Sequence, residues 1–142
     1  MNEDIYHTDL MRLAAEAHGT GRLDAPDATV TLSNPLCGDR ITLDVILRDG
    51  KIAAIGHDVK ACVLCQAAAS LIGRRALGQT PAALHRIAGQ MAALLKGTAE
   101  GELAWAEIDA FAPVAGRKSR HACVLLPFRA LNQALDAAEK KI

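Results

Sequence analysis

Apolar and polar residues alternate most regularly between Arg40 and Arg48, where Ile41, Leu43, Val45 and Leu47 take one parity and Arg40, Thr42, Asp44 and Arg48 the other. Since successive strand side chains point to opposite faces, this pattern predicts a strand with one wet face. Asp49-Gly50 follows as a two-residue hairpin turn. The chain then returns over Lys51–His57, with Ile52 and Ile55 apolar but out of strict alternation. Upstream, Ala28–Ser33 alternates with Val30 and Leu32 on one side, and Asn34, Pro35, Gly38 and Asp39 break the chain into a loop that carries Cys37. Two or three antiparallel strands therefore precede Cys62.

Helical periodicity flanks this block. Ile5–Ala17 spaces Ile5, Leu10, Leu13, Ala14 and Ala17 along one helix face, and Gly19 is expected to end it. Beyond Cys62 the chain is rich in Ala and Leu and poor in β-branched residues, which predicts a helix from about Val63 to Leu77, stopped by Gly78. Thr80-Pro81 reads as an N-cap followed by proline in the first turn. It opens a helix through Leu95 with Ile87, Met91, Leu94 and Leu95 inward, closed by Gly97. Gly101–Gly116 has no clear period and contains Trp105. A last helix over Cys123–Lys140 places Leu125, Phe128, Leu131 and Leu135 on one face. Pro127 fits such a helix only in its first turn, which would put Cys123 at or just before the helix start. The order predicts an α+β fold, a small antiparallel sheet of about three strands with helices packed on one face. No internal repeat breaks the chain, so 1–142 is expected to be one domain.

The balance of charges narrows the function. Sixteen basic side chains oppose sixteen acidic ones, so no net field draws the chain to nucleic acid or to an acidic membrane. Aromatic residues are 3% of the chain and do not interleave with basic ones, which argues against a base-stacking surface. The opening MNEDIYHTDL has no basic segment followed by an apolar one, and no apolar run reaches membrane-spanning length, so a cytoplasmic protein is expected.

Four cysteines in such a compartment are kept as thiols, which leaves core packing, redox chemistry and metal ligation as their uses. Three of them lie at junctions between elements: Cys37 on the Pro/Gly loop, Cys62 between the last strand and a helix, and Cys123 where the final helix begins. Junctions let side chains of distant segments converge, and a helix N-terminus favours the thiolate, the form that binds borderline metals and attacks sulfur. Asp39 could add an oxygen ligand from the loop of Cys37; three sulfurs and a carboxylate would complete a tetrahedral site for zinc or a partial one for iron. Against this stands the tendency of free cysteine to be a small buried hydrophobe. Cys62 and Cys65 also form a C-x-x-C, the pattern of dithiol oxidoreductases, but it follows an antiparallel hairpin rather than the first strand of a βαβ unit. Cys65, one turn into an Ala-rich helix, reads as a packed thiol. His7, His18 and His85 read as solvated and His57 as the end of a strand. His121, two residues before Cys123, is the histidine nearest the candidate site in sequence. Arg117, Lys118 and Arg120 form a basic run there that could steady a thiolate or guide an acidic partner surface.

Asn34-Pro35-Leu36-Cys37-Gly38-Asp39 resembles the N-P-x-C-G-D signature of the IscU/NifU/SufU iron–sulfur assembly family. The strand–turn–strand that follows, Cys62 before a small-residue-rich helix ending in Ala69-Ser70, and Arg120-x-x-Cys123 leading into an apolar run extend the likeness over nearly the whole chain. The resemblance implies that Cys37, Asp39, Cys62 and Cys123 surround one metal or nascent cluster, and leaves Cys65 a packing residue at a position where the family more often has serine. Two departures bear on the branch. IscU scaffolds carry a histidine immediately before the third cysteine, where this chain has Ala122. They also carry an L-P-P-V-K chaperone-docking segment, where this chain reads Val114-Ala115-Gly116-Arg117-Lys118. The long span from Cys62 to Cys123, which holds the whole Thr80–Leu95 helix, looks like the insertion that marks SufU.

Likeness to SufU implies a zinc-binding sulfur acceptor for a cysteine desulfurase, a sulfurtransferase-like role. Cys37 is expected to take the persulfide, because its Gly-flanked loop is the most mobile of the three cysteine settings and could leave the metal to reach out. Likeness to the IscU branch implies instead a scaffold that builds a transient Fe–S cluster and passes it to downstream assembly proteins or apo-proteins. A purely structural zinc domain and a Cys62/Cys65 oxidoreductase are the rivals from other classes.

Overall fold

The computed structural model describes residues 7–141. Helix α1 spans Thr8–Glu16 and is followed by three strands, β1 (Ala28–Asn34), β2 (Asp39–Arg48) and β3 (Lys51–Lys60). Helices α2 (Val63–Arg75) and α3 (Pro81–Lys96) come next, then a 3₁₀ segment, Ala106–Gly116, a short 3₁₀ turn, Lys118–Arg120, and α4 (His121–Lys141). The strands form one antiparallel sheet in the order β1-β2-β3. Helix α4 packs under β1 and β2 and α2 under β3, which gives the α+β architecture expected from the sequence.

The alternation in β2 translates directly into burial, with Ile41, Leu43, Val45 and Leu47 all inside. The irregular spacing of Ile52 and Ile55 has a geometric cause. β3 carries one extra residue, Ala53, between the pairs Leu47–Ile52 and Ile46–Ala54. Such a bulge switches the parity of the strand, so residues three apart turn to the same face. Beyond it, Ile55, His57 and Val59 lie opposite Val45, Leu43 and Ile41 on the core side. β3 runs on to Lys60, and His57 therefore sits inside the strand and is buried, rather than ending it.

Several boundaries shift. Ile5 lies outside the described residues. α1 ends at Glu16, capped by Ala17 in the left-handed conformation (φ +48°), ahead of Gly19. His7 caps its start, with Nδ1 accepting the Asp9 N–H. α2 stops at Arg75, which leaves Leu77 outside it and exposed. α3 begins as expected: Thr80 accepts the Ala83 N–H and Pro81 fills the first turn. Its buried face is Pro81, Leu84, Ile87, Met91 and Leu95, with Leu94 only at the margin.

The stretch without a readable period turns out to have one. Trp105, Ile108, Phe111 and Val114 are buried at every third position, the repeat of a 3₁₀ helix, in which residues i and i+3 eclipse. α4 begins two residues earlier than expected, at His121, so Cys123 lies within its first turn and Pro127 inside the helix. Pro127 has no N–H to give to the Cys123 carbonyl four residues back, so the backbone beside Cys123 forgoes a helical bond. Burial of Phe128, Leu131 and Leu135, each contributing about 1.5–3 kcal/mol, outweighs that loss. No helix among the described residues is long and apolar enough to cross a membrane.

Candidate metal centre

The strand register sets one end of the sheet as the site. Asn34 pairs with Asp39, closing β1 and β2 around residues 35–38, and Arg40 pairs with Lys60, so β3 ends beside the same turn. The loop is a tight turn fastened by Asn34. Its carbonyl accepts the N–H groups of Cys37 (3.3 Å) and Gly38 (2.9 Å), and its Oδ1 accepts that of Leu36 (3.2 Å). Gly38 is left-handed (φ +74°), a conformation glycine adopts without cost. The loop expected to be mobile carries these three bonds, and exposure also sets Cys37 apart: Cys37 is exposed, Cys62 half-buried, Cys123 buried.

Asp39 is the hub. It is buried at the start of β2. Its Oδ1 accepts the backbone N–H of Cys62 at 2.8 Å, the residue that caps α2, while Oδ2 lies 3.1 Å from Cys37 Sγ and 3.4 Å from Cys62 Sγ. Cys37 Sγ and Cys123 Sγ are 3.4 Å apart. The donor atoms of Cys37, Asp39 and Cys123 all lie within 4.8 Å of one another. Cys62 stands at the edge of this group, joined to it through Asp39. The structure therefore brings the four residues singled out from the sequence to one place, although they come from a turn, a strand start and two helix starts.

Burial raises the Asp39 carboxyl, but the Cys62 N–H and the thiols of Cys37, Cys123 and Cys62 act in the opposite direction and hold it below its usual range. The thiols respond the other way. Burial, with Asp39 alongside, pushes Cys62 up. Burial and the hydrogen bonds of Cys123 with Cys37 and Asp39 push Cys123 up further. Helix starts alone do not make these thiols thiolates, contrary to the simple expectation. A carboxylate and three thiols this close would repel one another if all were ionised, and a divalent cation is the group that removes the penalty. Three sulfurs and one oxygen suit zinc and also suit iron. The donor set fits a metal.

Cys65 is buried in the wall of α2, and burial pushes its thiol far up, so it is a packing residue. His121 turns away from the centre: its Nε2 bonds the carbonyls of Val114 (3.1 Å) and Ala115 (3.0 Å), tying the 3₁₀ segment to α4. His7 reaches the Ala110 carbonyl at 2.7 Å, so it is less solvated than its sequence setting suggested. Two structural groups escaped sequence reasoning. Asp44, on the formally wet face, is fully buried because Arg22, the Leu23 N–H and Thr29 close over it. Buried His57 places Nε2 between the carbonyls of His18 (2.8 Å) and Ala69 (3.1 Å), fixing the loop after α1 to α2. Neither has a local signature, since both partners lie far away in sequence.

A domain of this fold, with three cysteines and an aspartate converging at one end of the sheet, defines a class that the comparisons identify. Residues 5–125 match the model of the NifU-like N terminal domain. The chain belongs to this IscU/NifU/SufU-like family. It is similar to the iron-sulfur cluster assembly scaffold protein IscU of Streptococcus pyogenes serotype M1, with 33% identity over 83% of this chain and 74% of that protein. It superposes with a TM-score of 0.91 on a nitrogen-fixing NifU-like protein (N-terminal) from Brucella abortus, at 34% identity, covering 97% of this chain and 96% of the other. A putative iron-sulfur cluster assembly scaffold protein for the SUF system from Fervidobacterium islandicum AW-1 shares the fold, with a TM-score of 0.84 at 23% identity over 92% and 96% of the two chains.

Proposed function

We propose that this chain is an iron–sulfur cluster assembly protein that accepts sulfur from a cysteine desulfurase, with Cys37 as the acceptor and Cys37, Asp39, Cys62 and Cys123 as ligands of a zinc ion. The observation that carries this reading is the convergence of three thiols and one carboxylate, of which Cys37 alone is exposed. Zinc, when bound, would supply the positive charge that keeps the thiols deprotonated.

The chain's own residues then have distinct tasks. Cys37 is the exposed residue among the four, on a turn fixed by Asn34. As thiolate it attacks the outer sulfur of the desulfurase persulfide. A new S–S bond forms at Cys37, the old one breaks, and its electron pair leaves with the desulfurase cysteine as a thiolate, with no net redox change. As a thiol Cys37 donates to Asp39 Oδ2, and Asp39 Oδ1 accepts the Cys62 N–H, so Asp39 links the turn of Cys37 to the start of α2. Once Cys37 is a thiolate, zinc in place of this hydrogen bond would hold the two together. Cys123 lies buried behind Cys37 and is poorly placed to meet a partner first.

The scaffold reading has its own support, because the similar proteins from Streptococcus pyogenes and Fervidobacterium islandicum are both described as assembly scaffolds. In that reading the four residues hold a nascent Fe–S cluster as cargo, destined for apo-proteins, and the oxygen of Asp39 makes the cluster easier to release. Ala122, where IscU scaffolds carry histidine, and the long span from Cys62 to Cys123 that holds α3 and resembles the SufU insertion favour the acceptor.

Incubation with a cysteine desulfurase and cysteine should leave a persulfide on Cys37 and raise desulfurase turnover, and Cys37→Ser should abolish both. Peptide mass mapping under non-reducing conditions decides the point. A persulfide mainly on Cys123, or a cluster assembled from iron and sulfide with no protein persulfide, would replace the acceptor reading with the scaffold one.

A further inference from the structure

Leu36 is 96% exposed, by far the barest large apolar side chain among the described residues, and it adjoins the sulfur acceptor in the chain. A single exposed leucine is ordinarily unremarked on a protein surface. This one is held out on purpose-built backbone: its N–H is bonded to Asn34 Oδ1, and the next two N–H groups are bonded to the Asn34 carbonyl. The turn thus fixes an exposed apolar knob on the residue next to Cys37.

The adjoining rung of the sheet adds a charge. Arg40 and Lys60 are directly opposite each other in the β2–β3 register, both exposed and both on the face turned away from the helices. Like charges in a cross-strand pair are destabilising. The other basic rung of the sheet, Arg48 opposite Lys51, is relieved by Asp27, which pairs with Arg48, whereas neither Arg40 nor Lys60 forms an ion pair among the described residues. The nearest acidic residue on that face, Asp58, lies one rung further along and interacts with Arg22. An unmatched basic pair beside an apolar knob at the mouth of a site has the composition of a binding surface, an apolar anchor with a charged rim.

We infer that Leu36, flanked by Arg40 and Lys60, is the docking anchor for the sulfur donor, a protein whose persulfide cleft carries an apolar socket with an acidic margin. This rests on the acceptor reading above and adds to it what selects the partner. Leu36 enters the socket as the persulfide reaches Cys37, and the basic pair steers the approach and sets the register. Because the turn is already ordered, little conformational freedom is lost on docking.

The test uses the full chain, its metal bound, and a cysteine desulfurase. Leu36→Asp should raise the Kd for the desulfurase about ten-fold or more, the loss expected when a central apolar anchor is replaced by a charge. Reversing the rim, with Arg40→Glu and Lys60→Glu together, should slow association and flatten its salt dependence. Zinc content, melting temperature and uptake of sulfur at Cys37 from a small persulfide donor, cysteine persulfide, should stay as in the wild type, because none of these needs docking. If the wild type is persulfidated by the desulfurase and Leu36→Asp binds it within two-fold of the wild type, the anchor is overturned while the acceptor function stands. Should Leu36→Asp also lose uptake from the small donor, the side chain serves the thiol's chemistry and the docking role is overturned. A wild-type dimer that dissociates in Leu36→Asp with desulfurase affinity intact would reassign the knob to a second copy of this chain. A wild type that neither binds the desulfurase nor takes sulfur from it would end both readings together.

Discussion

At the scale of single residues, the two cysteines of the C-x-x-C differ in everything that matters for chemistry. Cys62 caps α2, is half-buried, and is 3.4 Å from Asp39 Oδ2, whereas Cys65 is wholly buried three residues further on. Cys62→Ser should therefore abolish metal binding, and Cys65→Ser should leave metal content near the wild-type value. The cost of Cys65→Ser falls on stability instead, about 1–3 kcal/mol for a hydroxyl that has to find a partner in an apolar wall. Metal analysis of the two purified variants, alongside their melting curves, checks this; equal metal loss from both would point to a site built on the C-x-x-C pair. These placements were open to sequence reasoning because a position at the helix junction and an interior helical position differ by three residues along the chain. Asp44 and His57 were not, because their burial is decided by partners such as Arg22 and His18, which only the fold brings near.

Among the elements, the least legible were those whose period is neither 2 nor 3.6. The bulge at Ala53 disguised the inner face of β3, and the three-residue repeat through Trp105, Ile108, Phe111 and Val114 matched neither template. Where the period was regular, in β2 and α3, the sequence and the structure agree to within a residue or two. The contacts of the loop after α1 with α2 and with β3 depend on glycine. A Cβ at Gly73 would lie 2.1 Å from the His18 carbonyl oxygen, and one at Gly56 would lie 2.3 Å from that of Gly21. His57 bonds into the same contact, with its backbone N–H donating to Gly19 and its Nε2 shared by His18 and Ala69. Burial lowers the His57 pKa below its ordinary 6.5, and these carbonyls and Asp58 nearby only partly offset it. Folded His57 thus resists protonation more than the unfolded chain does. As pH falls through about 6.5 the unfolded chain takes up the proton first, so the stability contributed by neutral His57, full above that pH, is lost toward the lower folded pKa and then levels off. The melting temperature should accordingly drop between pH 7.5 and 5.5. His57→Gln, which keeps an N–H donor and cannot titrate, should start lower and show a flatter profile; an equally steep one would remove His57 as the cause.

Over the whole molecule, the candidate centre joins parts that the chain order keeps apart. Cys37 and Asp39 belong to the β1–β2 turn, Cys62 to the start of α2 and Cys123 to the first turn of α4. A metal held by all four would tie the sheet to both helices that pack beneath it, and the unfolded chain offers no comparable site. Its binding free energy would then be folding free energy, on the order of RT ln(1 + [L]/Kd), or about 4 kcal/mol at a thousand-fold excess over Kd. Without the ion, the same end of the sheet retains a buried carboxylate surrounded by thiols that burial has pushed toward neutrality. Removing the metal with a strong chelator should lower the melting temperature by several degrees, on the order of 5 °C or more for a domain of this size. Scanning calorimetry before and after chelation reads the shift, and restoring one equivalent of zinc should reverse it. The Cys62→Ser variant supplies the control, since a chain that cannot hold the ion should melt near the chelated temperature and ignore the chelator. If the wild type melts unchanged after confirmed metal removal, the four side chains do not hold the two helices to the sheet through an ion, and the fold rests on its apolar core alone.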